Sequence, residues 1–326
     1  MRRFTLMILS LLILFCLTFG VSAHAAPIKL KAVSAWPTGI VTLDMFKEWI
    51  KTVNERGEGK VQIELIGGPE VTPMPEQIGA LKRGVFDILL TAAGYYMGTI
   101  PEAEAFGLSR ITPQDERANG FYDFMDQIHQ QNGFKYIGRA MAMVPLGVMS
   151  INKKIDSPKE LKGMKIRTVI IYDAFIRELG AVPVTIPEPE IYTSMERGVV
   201  DGFVAPLASG FVRQGFHEIV KYIIPYYFYQ IPTVVVANLK SWEKLPEDVQ
   251  KLLIDAIVEV EEKAGPYYKN VHDTELKKAQ ELGVQLIEFS PEDAKWFVDT
   301  AYRVSWENLA KKAPENVEKL RELSVK

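Results

Sequence analysis

One phrase occurs twice in this chain. ALKRGVFDI runs from Ala80 to Ile88, and SMERGVVDG runs from Ser194 to Gly202. Each copy closes a helical pattern with a basic residue and a glycine, then passes two apolar residues to an aspartate. Glycine accepts the left-handed conformation after a helix cheaply, so each phrase reads as a helix stop followed by a strand start.

The residues upstream repeat as well. Before the first copy come a strand at Ile28–Val33, a helix around Thr42–Val53 and a strand at Lys60–Ile66. Before the second come a strand at Met164–Val169, a helix at Tyr172–Gly180 and a strand at Pro183–Pro187. Each half therefore reads β-α-β-α-β, which implies α/β lobes built on parallel sheets with flanking helices. A single six-stranded sheet is the competing arrangement. Two helices and a strand, Gln114–Gln131 and Tyr136–Ser150, join the halves, and a β-branched run follows at Tyr226–Leu239. A helical stretch at Leu245–Gly283 is long enough for roughly 50–60 Å, with a kink or break expected at Gly265-Pro266. A strand at Val284–Phe289 and terminal helices from Ser290 complete the chain. Two such lobes with strands crossing between them suggest a hinge, with ligand held between the carboxyl ends of the strands.

The first 26 residues read as a cleaved secretory signal: Arg2 and Arg3, an apolar run from about Leu6 to Val21, then Ala23-His24-Ala25. Cys16, the only cysteine, follows Phe15 rather than a small residue, so no lipid attachment is expected. Loss of this segment takes the formal charge from −3 to −5 by removing two arginines. The lack of a basic block argues against nucleic acid as a partner, and without cysteine the exported protein is expected to rely on its core.

Catalytic motifs are absent: no GxSxG, HExxH, GxGxxG or P-loop. His129, His217 and His272 are far apart and read as exposed or helix-surface residues, so no metal site and no cofactor are expected. Arg167 stands out, in a strand otherwise apolar by pattern. A buried strand arginine is costly unless an anion meets it, and its planar fork suits a carboxylate. An edge-strand or ion-paired arginine is the alternative. Aromatics gather where strands end: Trp36, Tyr95, Tyr96, Tyr172 and Phe203. Aromatic walls with few polar groups suit a small organic ligand. Thr233, in the β-branched run, joins the candidate set.

The stretch Ser157–Pro206, with LKGMKIR, LGAVPV and EIYTSMERGVVDG, resembles the DctP-type extracytoplasmic solute-binding proteins of TRAP transporters. GGPEV (Gly67–Val71), the run ending ALKRGVFDI and ANLKSWEKLP fit the same family, over essentially the whole chain. The resemblance implies a two-lobed periplasmic-binding-protein fold with a long helix across both lobes. It implies lobe I at 27–148 plus about 234–265, and lobe II at 149–233 plus about 266–326. It further implies a periplasmic receptor that delivers a small carboxylate, held by Arg167, to an ion-driven membrane permease; a monomer is expected. Many members carry a second arginine at a position equivalent to about Leu146; Arg139 is a weak substitute. Acidic residues that help some members hold a metal are replaced by Phe203, Val204 and Ala205. Glu188 stands where some members have an aromatic residue. It can meet a donor on the ligand or cap the following helix, the cap being favoured. Together these residues suggest a monocarboxylate with an apolar or aromatic body. A receptor feeding a sensor kinase, and a dicarboxylate or sulfonate ligand, are the alternatives.

Overall fold

The computed structural model describes residues 26–325. The expected leader, apart from its last residue, lies outside them. The first elements are β1 (Ile28–Ser34), α1 (Asp44–Arg56), β2 (Val61–Gly67), α2 (Gln77–Arg83) and β3 (Ile88–Ala92). There follow α3 (Ala105–Leu108), α4 (Pro113–Asn119), α5 (Phe121–Gln131), β4 (Phe134–Met141) and β5 (Pro145–Ile151). The second half has β6 (Lys165–Thr168), α6 (Asp173–Glu178), β7 (Val182–Thr185), α7 (Ile191–Glu196), β8 (Gly202–Val204), α8 (Phe216–Ile219) and β9 (Tyr222–Gln230). The chain ends with β10 (Thr233–Asn238), α9 (Leu239–Glu243), α10 (Glu247–Glu281), β11 (Gln285–Leu286), α11 (Pro291–Lys312) and α12 (Val317–Leu323).

These strands form two sheets, not one. Their orders are β2-β1-β3-β10-β4 and β11-β9-β5-β8-β6-β7. In the first, β1 is parallel to β2 and β3; in the second, β6 is parallel to β7 and β8. The sheets are mixed rather than wholly parallel, because β10 pairs antiparallel with β3 and β4, and β5 with β8 and β9.

The repeated phrase does the same job in both lobes. Gly84 has φ 76° and Gly198 has φ 67°, the left-handed region open to glycine. The amides of Gly84 and Val85 return to Leu81 and Ala80; those of Gly198 and Val199 return to Met195 and Ser194. This paired closure satisfies the last helical carbonyls. The aspartate then docks the emerging strand. Asp87 accepts from the Lys31 amide at 2.9 Å, and Asp201 from the Lys165 amide at 2.7 Å. Each aspartate thus ties the third strand of its lobe to the first. Strand pairing starts only beyond it, so β3 begins at Ile88 and β8 at Gly202.

Two stretches expected as single strands are split between the sheets. Tyr136–Ser150 divides into the end of β4 and β5, and Tyr226–Leu239 into β9 and β10. The first crossing lies at residues 142–144, so 145–148 join the second sheet rather than the first. At the crossings Met143 and Tyr229 both hold φ 58°, a strained value for residues with a side chain. Gln230 accepts from the Met143 amide at 3.0 Å, and the Ile231 amide donates to the Val144 carbonyl at 2.9 Å, binding the two crossings together.

A third connection is α10, 35 residues long and unbroken despite Pro266. The expected break does not occur because the helix is anchored on both sides of the proline. Glu261 takes Arg117 at 2.7 Å and the Arg139 amide at 2.9 Å on the first lobe. Glu275 accepts the Val212 amide at 2.6 Å on the second. At 1.5 Å per residue α10 extends about 50 Å. No helix among the described residues is long and apolar enough to cross a membrane.

Candidate ligand-binding cleft

The lobes meet around a cavity. The first lobe presents Trp36 beyond β1, Ala92, Gly94 and Tyr95 at the end of β3, Met141 at the end of β4, and Thr233 at the start of β10. Thr233 pairs in register with both Ala92 and Met141, which brings these three strand ends to one edge. The second lobe presents Arg167, Val169, Ile171 and Tyr172 along and after β6, Glu188 after β7, and Val204, Pro206 and Ser209 along and after β8. Both lobes therefore offer the carboxyl edge of their parallel strands to the same space, as open α/β sheets do.

Arg167 is 3% exposed and held by backbone. Its Nε donates to the Ile186 carbonyl at 2.7 Å and its Nη1 to the Val204 carbonyl at 2.9 Å. Neither partner is charged, and no acidic side chain among the described residues forms an ion pair with it. The guanidinium is thus fixed in direction with its charge uncancelled, the state that suits a carboxylate. Edge-strand exposure is excluded, because β6 lies between β7 and β8.

Aromatic rings surround this charge. Trp36 and Tyr95 pack at 5.8 Å between centroids. Tyr172 stacks parallel to Tyr229 at 6.1 Å and meets Phe228 edge-on at 5.8 Å. Burial raises the Tyr95 and Tyr172 hydroxyls above their usual range, with nearby Arg167 acting against it. Both remain neutral hydrogen-bonding groups at physiological pH. On the lining the buried Thr42 Oγ1 has no hydrogen-bond partner among the described residues.

The family-like GGPEV segment shapes this wall. A Cβ on Gly68 would lie 2.5 Å from the Trp36 carbonyl oxygen, so only glycine lets the chain pass there. Gln77, which opens the helix before the first repeated phrase, donates to the carbonyls of Ser34 at 2.9 Å and Thr72 at 3.0 Å. It secures the loop that carries Trp36.

Three sequence candidates lie elsewhere. Tyr96 is buried in the first lobe, its hydroxyl 3.0 Å from His129 Nε2. Its neighbour Tyr95 takes the cavity side of the turn. Phe203 faces the opposite side of β8 from Val204 and packs against Phe211 and Phe216. Arg139 is fully buried on β4, where Nη2 bonds Glu116 at 2.8 Å and the Phe106 carbonyl at 3.1 Å. That buried ion pair, rather than a ligand, meets its charge. The side chain of Leu146 lies outside the described residues. His129 and His272 are buried rather than exposed; burial lowers the His129 imidazole to about 4.

Glu188 does not cap the helix that follows it; no side-chain cap bond forms there. It turns into the cavity, 9% exposed, with Gln214 Nε2 at 3.3 Å from Oε1. Sequence reasoning missed Thr42, Gly94, Val169, Ile171 and Ser209. Gly94, Val169 and Ile171 closely follow strand ends, which was the available signal, whereas Thr42 and Ser209 lie in helical turns farther along their loops. Among the described residues no cluster of three or more His, Cys, Asp or Glu could hold a metal ion.

Comparison with known proteins gives a consistent picture. The family model described as bacterial extracellular solute-binding protein, family 7 (DctP) matches residues 33–312. A protein from Nostoc sp. named monocarboxylate 2-oxoacid-binding periplasmic protein is 25% identical over 311 residues, covering 91% of this chain and 83% of its own. A TRAP periplasmic solute-binding protein from Desulfovibrio salexigens, solved with orotic acid, aligns with a TM-score of 0.80 at 22% identity, covering 91% of this chain and 97% of its own. A second, from Pseudoalteromonas atlantica with sodium and pyruvate, aligns at 0.79 and 21% identity, covering 91% and 93%. The last two likenesses establish shared fold.

Proposed function

The chain belongs to the DctP family of bacterial extracellular solute-binding proteins, and from that premise we propose that it is the periplasmic receptor of a TRAP transporter for a small organic acid. The acid sits between the lobes with its carboxylate on Arg167 and an apolar or aromatic body against Trp36, Tyr95 and Tyr172. The loaded receptor then passes it to the membrane permease subunits. The observation that carries this reading is Arg167: a buried guanidinium held by two backbone carbonyls, with no ion-pair partner among the described residues, in an otherwise mostly apolar cavity. Leaving such a charge unmatched is costly, so a matching anion stabilises the closed form.

The relatives' ligands support the class. The Nostoc sp. protein is named for monocarboxylate 2-oxoacids, and the solved structures hold orotic acid and pyruvate. Two lobes suit this mechanism, with the joints at 142–144 and 231–232, a few residues before the sequence-based bounds of 148 and 233, and in the middle of α10.

The test is a thermal-shift panel on protein lacking residues 1–26, unfolded and refolded to strip carried ligand. The panel holds aliphatic, hydroxy-, keto-, sulfonated and aromatic acids with neutral analogues. A saturating ligand at about 100 times its Kd adds roughly 2.7 kcal/mol, a rise of a few degrees for a chain of this size. A hit among monocarboxylates that Arg167→Ala abolishes supports the reading. Shifts from neutral compounds alone contradict it.

A further inference from the structure

Glu188 is the only acidic side chain that lines the cavity among the described residues. It is nine-tenths buried, its single hydrogen bond is the 3.3 Å contact from Gln214 Nε2, and no basic residue forms an ion pair with it. It lies two residues beyond Ile186, whose carbonyl holds Arg167 Nε, yet the two charges do not pair with each other. Both line the same cavity as Tyr95 and Tyr172, so they share one small compartment.

A ligand with a carboxylate alone answers half of this arrangement. It cancels Arg167 and leaves Glu188 as a buried anion beside a second anion, with its remaining oxygen unpaired. An unmatched buried carboxylate is among the costliest groups a site can contain. We infer that the ligand carries, besides its carboxylate, an N–H or O–H donor that meets Glu188, and that this residue selects such acids over plain keto or hydrocarbon acids. The inference rests on the carboxylate reading of Arg167 and deepens it. Gln214 donates to Oε1, and no hydrogen bond among the described residues engages Oε2.

Matched acids that differ only at the donor provide the test, using calorimetry on ligand-stripped protein. Pyroglutamate is compared with 3-oxocyclopentanecarboxylate, where a methylene replaces the ring N–H. 4-Hydroxybenzoate is compared with 4-methoxybenzoate and benzoate. The expected result is a preference of about tenfold or more for the donor-bearing acid in at least one set, because a site built around a hydrogen bond rejects the analogue that lacks it. In Glu188→Ala the preference falls to within about threefold, while acids without the donor bind as well as before or better. Glu188→Gln, of the same shape, guards against loss of fold and gives a reduced preference at unchanged melting temperature. Arg167→Gln weakens binding of every acid about a hundredfold or more. Donor-bearing and donor-free acids binding wild type equally through Arg167 would overturn the inference while leaving the receptor reading intact. A preference that survives Glu188→Ala overturns it in the same way. If none of these acids binds, the carboxylate reading and this inference fail together.

Discussion

Arg167 Nη1 donates to the carbonyl of Val204 at 2.9 Å, so the guanidinium in the cleft is held by a neighbouring strand and not by an acid. Arg139 is the opposite case, with Glu116 at 2.8 Å and no exposure. The same residue type on two buried strands has two different functions, and substitution separates them.

Arg139→Met leaves Glu116 buried without its partner. A loss of about 3–5 kcal/mol in unfolding free energy is expected, with ligand affinity per folded molecule unchanged. The double variant Arg139→Met/Glu116→Leu recovers much of that loss. Urea denaturation and calorimetry on the same samples check both statements.

Gly94 faces the other lobe. A Cβ placed there lies 3.7 Å from Ile171, which leaves no room for anything larger. Gly94→Leu is therefore expected to block closure, lowering affinity about tenfold or more while the melting temperature of the ligand-free protein stays within a few degrees. Small-angle scattering should show that added ligand no longer compacts the variant.

Thr42 Oγ1 is buried on the cavity lining without a partner. Thr42→Val removes that hydroxyl at nearly constant shape. Ligand-free stability is expected to hold or to rise by up to about 1 kcal/mol, and affinity to fall about threefold to tenfold. Equal affinity in calorimetry would show that the hydroxyl does not meet the ligand.

Glu104, between residues 101–108 and α11, is raised to about 7 by burial, with Lys312 and Asn308 acting against it. The folded state thus holds a proton that the unfolded chain releases near the ordinary value of 4.5. Stability from this group is full below about 4.5 and is lost as pH rises to about 7. Wild type should weaken relative to Glu104→Gln by on the order of 2–3 kcal/mol between pH 4.5 and 7.5. Denaturation curves at several pH values check the slope; parallel profiles would contradict it.

Much of this was legible in the chain. The repeated phrase announced two equivalent lobes because helix stop, glycine and aspartate form a local device, closed within a few residues. Arg167 was legible as a charge in the middle of a short strand, where a buried guanidinium calls for an anion. Arg139 carries the same signal, and only the arrival of Glu116 from a distant helix distinguishes the two. Tyr95 and Tyr96 are adjacent, and the short turn at Ala93–Tyr95 decides which faces the cleft. Phe203 and Val204 sit on a strand apolar on both faces, where pattern does not reveal the side. Glu188 looked like a helix cap because its position in the first turn suits one. The cavity claims it instead, through contacts that only the folded chain brings together.

The most direct measurement is calorimetric binding of one acid and its primary amide to ligand-stripped protein, in wild type and in Arg167→Gln. The acid is taken from the thermal-shift hits. The account expects wild type to bind the acid at least about a hundredfold more tightly than the amide, since truncating one side of a buried charged pair costs 2–5 kcal/mol. Arg167→Gln should bind both weakly and alike. An acid that keeps its affinity and its preference over the amide in Arg167→Gln would contradict the account at its centre.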